Sequence, residues 1–284
     1  MRLVLLCAQF VASSNVANGP RISPTTFQSR PTIVLATTDA PSIVPRAPTA
    51  RHLAPISNAH LKILDVCCGE GGVSRGLRAA FPNATIVGLD LNAHPLKRYL
   101  RSGADSFIQA DALEYLASED AARAQYDFIW ASFPCQSFTP LRALDQTKHY
   151  PDLIPEGRAL LQALNPTLGY ILENVPTATF AQTMRNDVTL CGNYFGLRTY
   201  RHRIFESPLA LIEPPHSPHL IRTTTINRKA QYEAGAFITI TGHVGSYCGP
   251  AMGIDWMTGR GLSQAIPPVY AHYLAQFIPV PAAV

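Results

Sequence analysis

The chain has 284 residues, 47% of them hydrophobic, and a formal net charge of +4. That composition excludes a disordered or collagen-like chain, and no apolar run approaches the ~20 residues of a membrane span. The charge is no nucleic-acid signature, because Arg2, Arg21, Arg30, Arg46 and Arg51 stand against Asp39 alone in residues 1–58 and the rest of the chain is neutral.

Residues 1–58 are rich in Ser, Thr, Ala and Pro and show neither helix nor strand period. Arg2 with the run Leu3 to Ala8 resembles the start of a signal peptide, and the acid-poor, Arg-bearing stretch resembles a transit peptide. The preferred reading is a disordered tail, or a start codon placed too early, on an intracellular protein. The six cysteines are scattered with no CxxC pair, which fits a reduced compartment.

From Leu61 the pattern alternates. Leu61–Val66 predicts a strand, Gly69–Gly72 a tight turn and Val73–Phe81 a helix. Ala84–Asp90 predicts a second strand, Pro95–Arg101 a helix, and Ser106–Gln109 a short strand followed by Asp111 and a helix through Leu116. Tyr126–Ala131 is a buried strand that Pro134 stops. Glu156–Leu164 reads as a helix and Tyr170–Val175 as a fifth strand. Such alternation predicts an α/β fold, a doubly wound, mostly parallel sheet. Beyond Arg203–Glu206 the pattern breaks, and the prolines and glycines of 207–249 predict a small irregular insertion. Structure resumes near Gly253, with a closing helix over Pro267–Ile278. The expected organisation is a leader, 1–58, a catalytic domain, 59–206, the insertion, 207–249, and a returning segment, 250–284.

Ligands of open α/β sheets bind at the carboxyl ends of strands. Asp65-Val66-Cys67-Cys68-Gly69-Glu70-Gly71-Gly72 lies at such an end and lets a ligand approach the backbone, although it matches neither a dinucleotide fingerprint nor a P-loop. Asp90 stands where an acid binds ribose hydroxyls. Asp111 could face an adenine amino group or simply cap its helix. Together the three favour a nucleoside-bearing cofactor. Cys135, past the fourth strand, is a nucleophile or a small buried hydrophobe. Glu173, in an apolar strand, needs a partner or a proton; an arginine salt bridge is the plainer reading. Arg198, Arg201 and Arg203 form the densest basic cluster of the neutral part, suited to phosphate or base contacts or to a solvated edge. His216, His219, His243 and Cys248 match no standard zinc spacing, so no metal is expected.

In this order, Asp65–Gly72, Asp90, Asp111, Pro134-Cys135-Gln136, Glu173-Asn174-Val175, Arg201-His202-Arg203 and Gln264–Pro268 resemble the motifs of C5-cytosine DNA methyltransferases. The segments Cys191–Leu197 and Gly253–Thr258 resemble the short form found in bacteriophage genomes. The resemblance spans about Leu61 to Phe277. It implies the methyltransferase α/β sheet and S-adenosylmethionine as cofactor. Asp65, Cys67, Gly69, Glu70, Gly71, Gly72, Asp90, Leu91, Asp111, Ala112, Pro134 and Gln264 would line the cofactor. Cys135 would be the nucleophile, Glu173 would hold N3 of cytosine and Arg203 its O2, with Arg201 beside them; Gln136, Ser137 and Asn174 would meet the substrate. The chain departs from the family at Cys67, Thr199 and Ser263-Gln264, and its recognition segment is short. The expected partner is DNA with the target base flipped out or single-stranded, with no membrane and a monomeric state. Three alternatives are RNA cytosine C5 methylation, a catalytically dead relative and an amino-methyltransferase; the last has no need of a thiol at Cys135.

Overall fold

The computed structural model describes residues 53–92, 96–139, 150–216 and 218–280. The leader up to His52, and with it the targeting reading, lies outside the described residues, as does Pro95.

The sheet has seven strands: β1 (Lys62–Val66), β2 (Thr85–Asp90), β3 (Ser106–Gln109), β4 (Phe128–Ala131), β5 (Tyr170–Asn174), β6 (Val188–Leu190) and β7 (Arg203–Glu206). Their spatial order is β3-β2-β1-β4-β5-β7-β6. All neighbours are parallel except β7, which is antiparallel to both β5 and β6. The order reverses between β1 and β4, so the loops after these two strands flank the crevice where open sheets bind ligands.

Alternate residues face opposite layers. Ile63, Ile86, Trp130, Ile171 and Phe205 pack with α1 (Gly72–Ala80) and α9 (Pro268–Ala275). Leu64, Val66, Leu89, Ile129 and Leu172 pack with α3 (Ala112–Leu116) and α5 (Ile154–Leu164) on the other side. This is the expected doubly wound, mostly parallel α/β sheet. A Cβ on Gly76 would sit 2.1 Å from the carbonyl of Pro268, so only glycine lets α1 and α9 approach this closely.

The structure departs from the sequence reading in four places. The expected helix over Pro95–Arg101 is a short α2 (Leu96–Tyr99) closed by a 3-10 turn, Leu100–Ser102. Strand β6 and the helices α4 (Glu119–Ala124) and α6 (Thr177–Phe180) were not foreseen; all are short. The leader's last residues are already attached, with Ile56 and Ser57 donating to the carbonyl of Ala80 at 2.8 and 3.1 Å and Leu53 packed on the first core. Finally, the insertion has its own core of Ile238, Ile240, Val244, Cys248, Met252, Ile254, Trp256, Met257 and Leu262. That cluster runs past residue 249 because Ile254 and Trp256 complete it. It holds α7 (Arg228–Glu233) and α8 (Gly259–Gln264). Among the described residues no helix is long and apolar enough to cross a membrane.

Candidate active site

Strands β1, β2 and β3 present the first group of predicted residues. Asp65 is fully buried. Its Oδ2 accepts from the Ser74 hydroxyl at 2.5 Å and the Ser74 amide at 3.2 Å, while Oδ1 is buried without a partner. Burial raises its pKa to about 7. Asp90 Oδ2 accepts from the Gly69 amide and Oδ1 from the Asn92 amide, each at 3.0 Å, which ties the glycine turn to the end of β2. Asp111 caps α3 through Oδ1, accepting from Leu113 and Glu114 at 2.9 and 3.1 Å. Leu91 is 62% exposed beside Asp90. Ala112 is buried at the start of α3, whereas Pro134 and Gln264 are exposed. Burial and then the charges of Asp90, Asp65 and Asp111 push the Cys67 thiol up, so Cys67 is a poor thiolate and lies among these acids.

These residues fit an S-adenosylmethionine. An orphaned carboxylate oxygen suits a ligand ammonium. Gly69 has φ +52° and open space where a Cβ would stand, so a ligand can reach the backbone there. The other glycines have structural reasons. A Cβ on Gly71 would lie 2.6 Å from Cβ of Ser102, and one on Gly72 2.2 Å from the carbonyl of Ile266.

Two of the predicted residues also hold distant parts of the chain. Both Glu70 carboxylate oxygens are taken by Thr258, from its amide at 2.7 Å and its hydroxyl at 2.5 Å. The Trp256 indole donates to the Glu70 carbonyl at 2.7 Å. Glu70 therefore fastens the Trp256–Thr258 part of the insertion core to the glycine turn. Arg201 is buried, and its guanidinium donates to backbone carbonyls of Ile240, Ser263 and Ala265, the last two at 2.8 Å. It clamps the same region.

Strands β4, β5 and β7 present the second group. Cys135 opens a 3-10 turn, Cys135–Phe138, four residues after β4. Glu173, on β5, is 5% exposed and accepts from Nε of Arg203 at 3.0 Å. The Ser132 side chain also donates to Glu173, a partner sequence reading missed because nothing in the sequence marks that serine. Burial raises the Glu173 pKa, against the charge of Arg203. Burial likewise raises Cys135, with Arg203 and Arg201 lowering it and Glu173 raising it. Thiol, carboxyl and guanidinium thus share one electrostatic neighbourhood at the carboxyl edge of the sheet. Asn174 donates to the Phe133 carbonyl at 3.0 Å and accepts from the Val175 amide at 2.9 Å, which fixes the loop ahead of Cys135. Gln136 Oε1 and Ser137 Oγ are buried without hydrogen-bond partners next to the thiol.

The arrangement offers a nucleophile, a carboxyl pushed towards its protonated form and a fixed cation. The zinc quartet considered from sequence does not assemble: Cys248 lies in the insertion core and His243 is exposed. A different group, Cys191, His202, His216 and His219, comes together instead.

Residues 63–149 match the family model of a methyltransferase domain. Curated relatives include sterol 24-C-methyltransferase erg6 of Aspergillus fumigatus, 31% identical over 106 residues, which are 37% of this chain and 26% of that one. They also include sterol 24-C-methyltransferase erg-4 of Neurospora crassa, 36% identical over 106 residues, 37% and 25% of the two chains. The matched region thus spans about a quarter of the curated relatives' length. Among solved structures, the S. pombe Dnmt2 methyltransferase superposes with a TM-score of 0.54 at 14% identity, covering 78% of this chain and 98% of that one. Residues 63–149 are a methyltransferase domain of the S-adenosylmethionine-dependent type. Glu173 and Arg203 lie outside that match, so the substrate has to be read from the site.

Proposed function

We propose that this chain methylates C5 of cytosine in DNA, with S-adenosylmethionine as methyl donor and Cys135 as nucleophile. The observation that carries the reading is the Glu173–Arg203 pair, 3.0 Å apart and buried, in the same neighbourhood as a loop thiol. Amino- and carbon-methyl acceptors that are already nucleophilic have no use for a thiol. Cytosine C5 is a poor nucleophile and does.

Asp65 and Asp90, with the Gly69 backbone, would hold the methionine and ribose parts of the donor, and Asp111 with Leu91 its base. When bound, the donor supplies a methyl group on a positively charged sulfur. Cys135, as thiolate, adds to C6, and the electron pair moves through the ring towards N3. Glu173, its pKa raised by burial, would present a proton to N3 as charge develops there. Arg203 holds the Glu173 carboxyl in place and offers its remaining donors to O2. Its charge also raises the thiolate fraction of Cys135, which burial otherwise suppresses. C5 would then take the methyl group as its bond to the donor sulfur breaks to leave a neutral thioether, and loss of the C5 proton would restore the C5–C6 double bond and expel Cys135 as thiolate. A stacked base cannot reach a loop at the sheet edge, so the target is flipped out or unpaired. With the short insertion, few base edges can be read, and a short or relaxed target is expected.

Bisulfite sequencing of DNA from cells expressing the chain tests the reading. New 5-methylcytosine in DNA is the expected result. The mark in RNA with none in DNA would move the substrate to RNA, and no mark in either would remove the activity.

A further inference from the structure

Four side chains that the proposed reaction does not use meet at the β6–β7 edge. Cys191 follows β6 directly and His202 directly precedes β7. His216 and His219 come from the proline-bearing stretch after β7. The ligand atoms of all four lie within 4.8 Å of one another. Cys191 Sγ is 3.4 Å from Nε2 of His219, and Nε2 of His202 is 3.0 Å from Nε2 of His216. A tetrahedral zinc with bonds of about 2.0–2.1 Å to nitrogen and about 2.3 Å to sulfur has ligand-to-ligand edges of about 3.3–3.6 Å. Small side-chain rotations take the observed group to that shape.

The geometry points to a structural zinc site formed by Cys191, His202, His216 and His219. One thiolate and three imidazoles are the donor types zinc prefers over calcium or magnesium. Four protein ligands leave no open position, which makes the site structural rather than catalytic. On binding, the Cys191 thiol gives up its proton to solvent and its sulfur becomes a ligand. The Tyr200 ring stacks on His219 at 3.6 Å and 11°, which orients that imidazole. The metal would bind the stretch after β7, which has no helix or strand among the described residues of 207–223, to the strand that carries Arg203. The inference does not depend on which nucleic acid is methylated.

The full chain purified without chelator should carry about one zinc per molecule by elemental analysis. Cobalt exchanged for zinc should give the visible bands of a tetrahedral site together with a near-ultraviolet thiolate-to-cobalt band. His216→Ala/His219→Ala changes only exposed side chains and should fold; it should bind zinc at least about a hundredfold more weakly. Proteolysis within 208–222 should quicken in that variant and in chelated wild type. Cys191→Ser should lose the thiolate-to-cobalt band. Wild type that binds added zinc no more tightly than the double histidine variant overturns the site. So does undiminished zinc in that variant, which would put the metal on other cysteines.

Discussion

The sheet and the small core of residues 238–262 are both apolar inside, yet they are specified in different ways. Each strand of the sheet is fixed by its neighbours' register, and the chemistry sits where strands end: Asp65 and Asp90 at the ends of β1 and β2, Cys135 after β4, Glu173 on β5, Arg203 on β7. The small core contributes none of those groups. It is held on by long-range bonds from the same motifs. Glu70, in the glycine turn, holds Thr258, and Arg201, two residues before Arg203, holds Ile240, Ser263 and Ala265. Arg98 donates to the Trp256 carbonyl at 2.8 Å. Motif positions that look alike in sequence therefore divide between chemistry and attachment.

Substitutions can break that division. Glu173→Gln keeps the shape but cannot present the same acid to N3, so turnover should fall on the order of 10²-fold with melting temperature little changed. Steady-state rates with purified protein check this; a rate near wild type would make Glu173 a structural residue. Arg201→Met should do the opposite. It leaves buried carbonyls without charged donors, a loss of about 2–4 kcal/mol, and should lower the melting temperature by roughly 5–10 °C. Limited proteolysis should then cut first within 224–262. A stable Arg201→Met protein with a damaged rate would return Arg201 to catalysis.

Asp65→Asn sharpens the comparison on the cofactor side. The Asp65 pKa is raised from 3.8 to about 7 in the folded chain, so the unfolded chain loses this proton first. Wild type therefore loses stability relative to Asp65→Asn as pH rises from about 4 to about 7, by a few kcal/mol, and the difference is constant above that. Melting curves of both proteins across this range measure the gap. Calorimetry should show the variant binding S-adenosylmethionine more weakly, because the orphaned oxygen no longer carries charge.

The parts legible in the sequence were those with local signals. Ile63-Leu64 leads into Asp65 and Ile86–Leu89 into Asp90, apolar runs that meet an acid at the strand end, and Pro134 stops the strand ahead of Cys135. Strand β6 is only Val188–Leu190, too short for a period to show. The attachments made by Glu70 and Arg201 were not legible because their partners lie 188 and 39–64 residues away, and no spacing rule connects them. Ser132 was missed for want of any motif. The Cys191 cluster escaped because its members are spread over β6, β7 and a loop, at intervals unlike those of compact zinc motifs.

The central claim is covalent attack by Cys135, and a 5-fluorocytosine duplex tests it most directly. Fluorine cannot leave C5 as a cation, so the chain should remain bonded to the DNA after methyl transfer. The account predicts a complex that survives denaturing electrophoresis, requires S-adenosylmethionine and is absent with Cys135→Ser, whose hydroxyl is scarcely ionised at neutral pH. A Cys135→Ser protein that still methylates DNA, or an active wild type that forms no such complex, would contradict it.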